Sequence, residues 1–126
     1  MAAWFTWGCD PMRRINMKNR TDEKAEIIWH IMEDSILSSP LYISNSQKVK
    51  FELLPGGRSR DIKMSFGMGN WSPRYLKSVI DDLDSVEIRW NNKYAVLRSH
   101  EEMYEYLSAR RRTPDKSKIQ IVFKKD

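Results

Sequence analysis

Five cations are the residues of this chain best suited by type and spacing to do chemistry, and that chemistry is ionic recognition. Lys48 and Lys50 lie in Lys-Val-Lys-Phe-Glu-Leu-Leu, Lys63 lies in Asp-Ile-Lys-Met-Ser-Phe, and Arg58 and Arg60 stand between the two runs. Val49, Phe51 and Leu53 alternate with Lys48, Lys50, Glu52 and Leu54, and Ile62, Met64 and Phe66 alternate with Asp61, Lys63 and Ser65. This is the period of half-buried strands. Pro55-Gly56-Gly57 is a strong turn signal, so the runs are expected to form an antiparallel hairpin. With the apolar sets facing the core, Lys50 and Lys63 face outward on one side. Their repulsion is tolerable in water and becomes useful against carboxylates.

Nucleophilic and metal chemistry find little support. His30 and His100 fall on separate predicted helices without metal-ligand spacing, and Cys9 has no identifiable base partner. Gly56-Gly57 and Gly67-Met68-Gly69 lack the lysine and helix entry of a phosphate loop. The expectation is a noncatalytic protein with no cofactor, metal or small-molecule substrate.

Composition sets the frame in which these cations act. The 126 residues are 40% hydrophobic and 31% charged, which suits one soluble domain with an appendage. Five cations against six carboxylates precede residue 48, and seventeen against eleven follow, so the net charge of +5 belongs to the second part. A single cysteine excludes an intramolecular disulfide and fits a reducing compartment, cytoplasmic or nuclear. No apolar run reaches the roughly eighteen residues of a membrane span. The first nine residues are apolar but lack a basic region before them, so residues 1–20 read as a flexible N-terminus, with an aromatic flap packed on the domain as the alternative.

Thr21 can cap a helix, with Asp22 and Glu23 in its first turn, and Ala25, Ile28, Trp29, Met32 and Ile36 recur at helical spacing. An amphipathic helix is therefore predicted over 21–36, ended by Ser38-Ser39-Pro40, within an N-terminal helix and linker segment at 21–47. Beyond the first hairpin, Ser72-Pro73 starts a second helix with Leu76, Val79, Ile80 and Leu83 as its buried face. Val86, Ile88 and Trp90, then Tyr94, Val96 and Arg98, give strands joined by the turn former Asn91-Asn92. Ser99 and Glu102 form a capping box for a third helix, and Ile119–Phe123 is a nearly continuous apolar strand, expected to be central. Asp81, Asp82 and Asp84 read as a solvated helix end.

The order from residue 48 is β-β-α-β-β-α-β. On Val49-Lys50, Asp61-Ile62-Lys63-Met64-Ser65-Phe66 and Val96-Leu97-Arg98-Ser99-His100-Glu101-Glu102-Met103, residues 48–125 resemble the Phox-and-Bem-one (PB-one) domain family of the ubiquitin-like β-grasp superfold. The resemblance implies an α+β fold with a mixed five-stranded sheet and two packed helices over residues 48–126, to which the N-terminal amphipathic helix is added. It also implies a heterotypic protein–protein module for signalling or scaffold assembly, in which a basic strand surface receives the acidic motif of a partner domain. Lys50 matches the family lysine and Lys63 a basic position on strand two, with Arg58, Arg60 and Lys48 in support. Where the family's acidic motif would lie, this chain has Asn91, Asn92 and Lys93, which argues against head-to-tail self-association.

The alternative is a small basic nucleic-acid-binding domain. Arg110, Arg111 and Arg112 precede Lys116, Lys118, Lys124 and Lys125, and Trp71 and Trp90 offer rings on which bases could stack. Phosphate binding needs little more than clustered cations.

Overall fold

The computed structural model describes residues 12–33, 47–56, 61–112 and 116–124, which build an α+β fold of eight strands and two helices. In chain order these are β1 (Met12–Arg20), β2 (Ala25–Ile31), β3 (Lys48–Leu53), β4 (Ile62–Met68), α1 (Pro73–Ile80), β5 (Leu83–Trp90), β6 (Lys93–Leu97), α2 (His100–Ser108), β7 (Arg111–Arg112) and β8 (Lys118–Lys124). Two four-stranded sheets replace the single five-stranded sheet expected from the sequence: β4-β1-β8-β7 and β3-β2-β5-β6.

The largest departure lies at the N-terminal side. Residues 12–20, expected to be flexible, form an interior strand in which polar Arg14, Asn16 and Lys18 alternate with buried Ile15 and Met17. β1 runs antiparallel to β4 and parallel to β8, with Ile15 opposite Ile119 and Met17 opposite Ile121. The helix expected over 21–36 is absent where its residues are described, because 25–31 are β2, paired on both sides by β3 and β5. Ile27, Ile28, Trp29 and Ile31 are β-branched or aromatic and all buried, a composition that favours a pleated surface over a helical stripe. Ile36 and the predicted stop at Ser38-Ser39-Pro40 lie outside the described residues.

Thr21 does not cap a helix but closes a bend between sheets. Its hydroxyl donates to Asn19 Oδ1 at 2.6 Å, its backbone N–H to the same oxygen at 3.0 Å, and Asn19 Nδ2 donates to the carbonyls of Leu53 and Glu23, each at 2.7 Å. Local side-chain bonding of this kind competes with helix initiation, and here it carries the chain from the first sheet into the second. The β3–β4 pairing expected around Pro55-Gly56 is also replaced, since β3 pairs with β2 and β4 with β1. The long arms 12–31 and 48–68 thus run alongside each other through both sheets. The pairings of β1 with β4 and β8, and of β2 with β3 and β5, all cross a boundary drawn at residue 48.

The second half follows its local signals closely. Ser72 accepts from the Tyr75 N–H at the start of α1 with Pro73 in the first turn, and Ser99 and Glu102 make the reciprocal capping box of α2. Leu83, expected on the first of these helices, instead opens β5. Asn91 and Asn92 both take positive φ, 48° and 62°, the mirror-image turn that matches strand twist in a two-residue hairpin. β8 is interior, between β1 and β7. One buried cluster draws on both sheets and both helices, with Trp29, Met17, Trp71, Leu76, Met103 and Ile121 among its members.

Candidate functional site: a cationic sheet face

Strand pairing decides which cations meet. Directly opposed residues on neighbouring strands point to the same side of a sheet, about 5 Å apart, and alternate residues along a strand repeat that side about every 7 Å. In the first sheet, Arg112 stands opposite Lys118, Lys118 opposite Arg14, and Arg14 opposite Ser65. The next row places Gln120, Asn16 and Lys63 side by side. Lys18 pairs with Val122, and Arg20 with Lys124. Arg14, Lys18, Arg20, Lys63, Arg112, Lys118 and Lys124 therefore share one face, whose opposite side carries the buried Ile15, Met17, Phe66, Ile119, Ile121 and Phe123.

Asp61 is the carboxylate set among them. It holds Arg20 in a two-pronged pair, Nη1 to Oδ1 at 2.9 Å and Nη2 to Oδ2 at 3.1 Å. Hydrogen bonding to Arg20 holds the Asp61 carboxyl below its ordinary range, and the Lys18 and Lys63 charges add to the effect. This acid, the one carboxylate of the face among the described residues, is thus committed to Arg20. Asn16, at the centre of the face, is 5% exposed, and its Oδ1 accepts no hydrogen bond from the described residues.

The second sheet presents the opposite arrangement. Lys50, expected to be the principal partner-binding cation, lies on edge strand β3 with its Nζ 2.8 Å from Glu26 Oε2 and 3.7 Å from Glu52 Oε1. Hydrogen bonding to Lys50 lowers the Glu26 carboxyl, and the same bond raises the Lys50 ammonium. Lys24 reaches Glu52 at 3.5 Å, His30 Nε2 lies 3.0 Å from Glu87, and the Arg89 guanidinium stands over the Tyr94 ring. Cations and carboxylates alternate here and satisfy one another.

The structure thus divides the five cations expected to act together. Lys48 and Lys50 lie on β3 in the second sheet, Lys63 lies on β4 in the first, and Arg58 and Arg60 fall outside the described residues. It also divides the nucleic-acid set. Arg112 and Lys118 join Lys63 on the cationic face. Arg111 instead ties the backbone, donating to the carbonyls of Ser108 at 3.2 Å and Trp71 at 3.0 Å. Arg110 stacks on the Tyr106 ring at 3.6 Å, and Lys116 sits in the turn before β8, where its carbonyl accepts from Trp71 N–H.

The aromatic half of the nucleic-acid expectation is corrected for Trp71. That ring is fully buried, edge-on to Phe66 and Tyr75, with its Nε1–H donated to the Arg14 carbonyl at 3.0 Å. Trp90 packs against Phe123, ring centres 5.4 Å apart. Residues missed by sequence reasoning, Arg14, Lys18 and Arg20, carried a signal: Arg14-Ile15-Asn16-Met17-Lys18 alternates with period two. Lys124, named in the nucleic-acid set, joins them on the face.

Among the described residues, no helix is long and apolar enough to cross a membrane, and no three His, Cys, Asp or Glu side chains are grouped to hold a metal ion. Comparison with known proteins finds no matching family model, no matching curated protein and no matching solved structure.

Proposed function

We propose that this chain is a noncatalytic interaction module that docks an acidic partner protein against the outer face of the β4-β1-β8-β7 sheet. One observation carries the reading: seven cations share that face with a single carboxylate, already held by Arg20, among the described residues. A sheet face carrying positive charge at strand spacing favours a surface of opposite sign and steers its approach. Lys18, Lys63, Arg14 and Lys118 are the contact residues in this proposal, with Lys50 displaced from its expected role by its pairing with Glu26.

We read the fold, within its α+β class, as a β-grasp-like arrangement enlarged by a hairpin. The parallel pairing of β1 with β8, the antiparallel β4 beside β1, and the α1, β5-β6, α2, β8 succession support that reading and with it the PB-one resemblance. Under it, β2 and β3 are an insertion between the first two strands of the grasp. A reducing compartment, cytoplasmic or nuclear, goes with the proposal on the strength of the lone Cys9.

The test is a titration of the isotopically labelled chain with an acidic-motif PB-one domain and, separately, with single-stranded RNA. Saturable shifts on β1, β4 and β8 with the acidic domain, lost in Lys18→Glu/Lys63→Glu, are expected. Shifts with RNA alone would move the function to nucleic-acid binding through the same face.

A further inference from the structure

At one corner of the cationic sheet, beside edge strand β7, the surface is concave. A cavity of about 540 Å³ is lined there by Ala109, Arg110, Arg112, Gln120, Val122 and Lys124. Among these described residues half are cations and none is acidic. Arg110 is held in place before any ligand arrives, its guanidinium stacked 3.6 Å from the Tyr106 ring centre and Nη1 donating to the Tyr106 carbonyl at 2.8 Å. The Gln120 N–H donates to the Arg110 carbonyl at 3.0 Å, fixing the turn against β8. Arg112 and Lys124 are exposed on the same side as Gln120 and Val122.

A single carboxylate brings one charge and two oxygens, and leaves most of the positive charge of the three lining cations unanswered. A phosphate monoester brings close to two charges at neutral pH and three acceptor oxygens, and guanidinium groups meet it with paired N–H donors. The cavity also has room for more than the anion, with Ala109 and Val122 as an apolar wall for the carbon atoms that carry it. Nucleic-acid backbone would bring phosphate too, but among the described residues the lining offers no aromatic ring on which a base could stack.

We infer that this corner binds a phosphorylated serine or threonine of the acidic partner, an inference that rests on the acidic-partner reading of the adjoining face. The partner then engages the sheet with carboxylates and the corner with one phosphate, so its phosphorylation tunes the complex.

Calorimetric titration of the full chain tests this with four probes: a short acidic peptide carrying one phosphoserine, the same peptide unphosphorylated, inorganic phosphate, and a single-stranded oligonucleotide. The phosphopeptide is expected to bind at least about tenfold more tightly than its unphosphorylated form, as one or two added charge-assisted hydrogen bonds allow. That advantage should vanish in Arg112→Ala/Lys124→Ala, whose circular dichroism should match the parent because both side chains are exposed. Equal affinity for the two peptides, an advantage that survives the double variant, inorganic phosphate binding as tightly as the phosphopeptide, or an oligonucleotide that outcompetes it at the corner would overturn the inference. The unphosphorylated arm keeps the two readings apart. If neither peptide binds, the acidic-partner reading falls; if both bind equally, only the phosphate site falls.

Discussion

Lys50 reaches across from edge strand β3 to place its ammonium 2.8 Å from the Glu26 carboxylate of β2, with Glu52 on its other side. A cation so engaged must surrender its own carboxylates before it can accept those of a partner. Lys50→Ala is therefore expected to change affinity for an acidic partner by less than about threefold, the scale of exposed ion pairs. Lys18→Glu/Lys63→Glu reverses two charges on the uncompensated face and should weaken the same complex by more than about tenfold. Binding measured side by side on the two variants checks the pair, and the opposite ranking would return the site to β3.

Residues 48–126 in isolation should not fold. Removing β1 takes away the strand between β4 and β8, and removing β2 takes the strand between β3 and β5. Ile15, Met17, Ile27 and Trp29 leave the core at the same time. A fragment beginning at residue 48 is expected to show collapsed amide dispersion in its NMR spectrum, whereas the full chain should show a dispersed one.

Asn19→Ala should destabilise the protein by about 2 to 4 kcal/mol. The side chain is 3% exposed, and its loss strands the Leu53 carbonyl and the Thr21 N–H, while the Thr21 hydroxyl and the Glu23 carbonyl keep their bond to each other at 2.9 Å. Urea unfolding of the variant measures the loss directly. A change within about 0.5 kcal/mol would mean that the bend is held by packing alone.

Acid should unfold the protein partly through Asp61 and Glu26. Both carboxyls are held below their ordinary values, Asp61 chiefly by hydrogen bonding to Arg20 and Glu26 chiefly by hydrogen bonding to Lys50. A depressed folded-state pKa contributes stability that is complete above the unfolded carboxylate range, roughly pH 4 to 5, and is lost as pH falls through the folded value. Melting temperature should therefore decline below about pH 4. Asp61→Asn should melt lower than the parent at neutral pH and decline less steeply in acid, because its bond to Arg20 no longer carries a charge to titrate.

What the sequence disclosed was local. Ser72-Pro73, the Ser99 and Glu102 capping box and the Asn91-Asn92 turn each act within a few residues, and each stands as its local chemistry demands. Ala25 to Ile31 misled because Ala25, Ile28 and Trp29 also fit a helical stripe, while the feature that decides the matter, hydrogen-bonded neighbours on both sides, comes from residues 48–53 and 83–90. Thr21 misled for a similar reason, since its hydroxyl serves a turn through Asn19 as readily as a helix start. The cationic face lay further out of reach. Lys63 was visible as an outward lysine, but its company with Lys18 and Lys118 depends on β1 lying between β4 and β8, and no short window of sequence contains all three.

The parallel partnership of β1 and β8 also governs how the molecule is made. Arg14 lies opposite Lys118, about a hundred residues further along the chain. A ribosome that has released β1, β2 and even both helices still holds a chain whose first sheet lacks an interior strand, with Ile15 and Met17 denied the Ile119 and Ile121 that cover them. Contacts this distant in sequence are slow to close, and unpaired strand edges invite other chains meanwhile. The interval between synthesis of the first strand and arrival of the last is thus when this protein is most exposed to aggregation, and when a chaperone has most to protect.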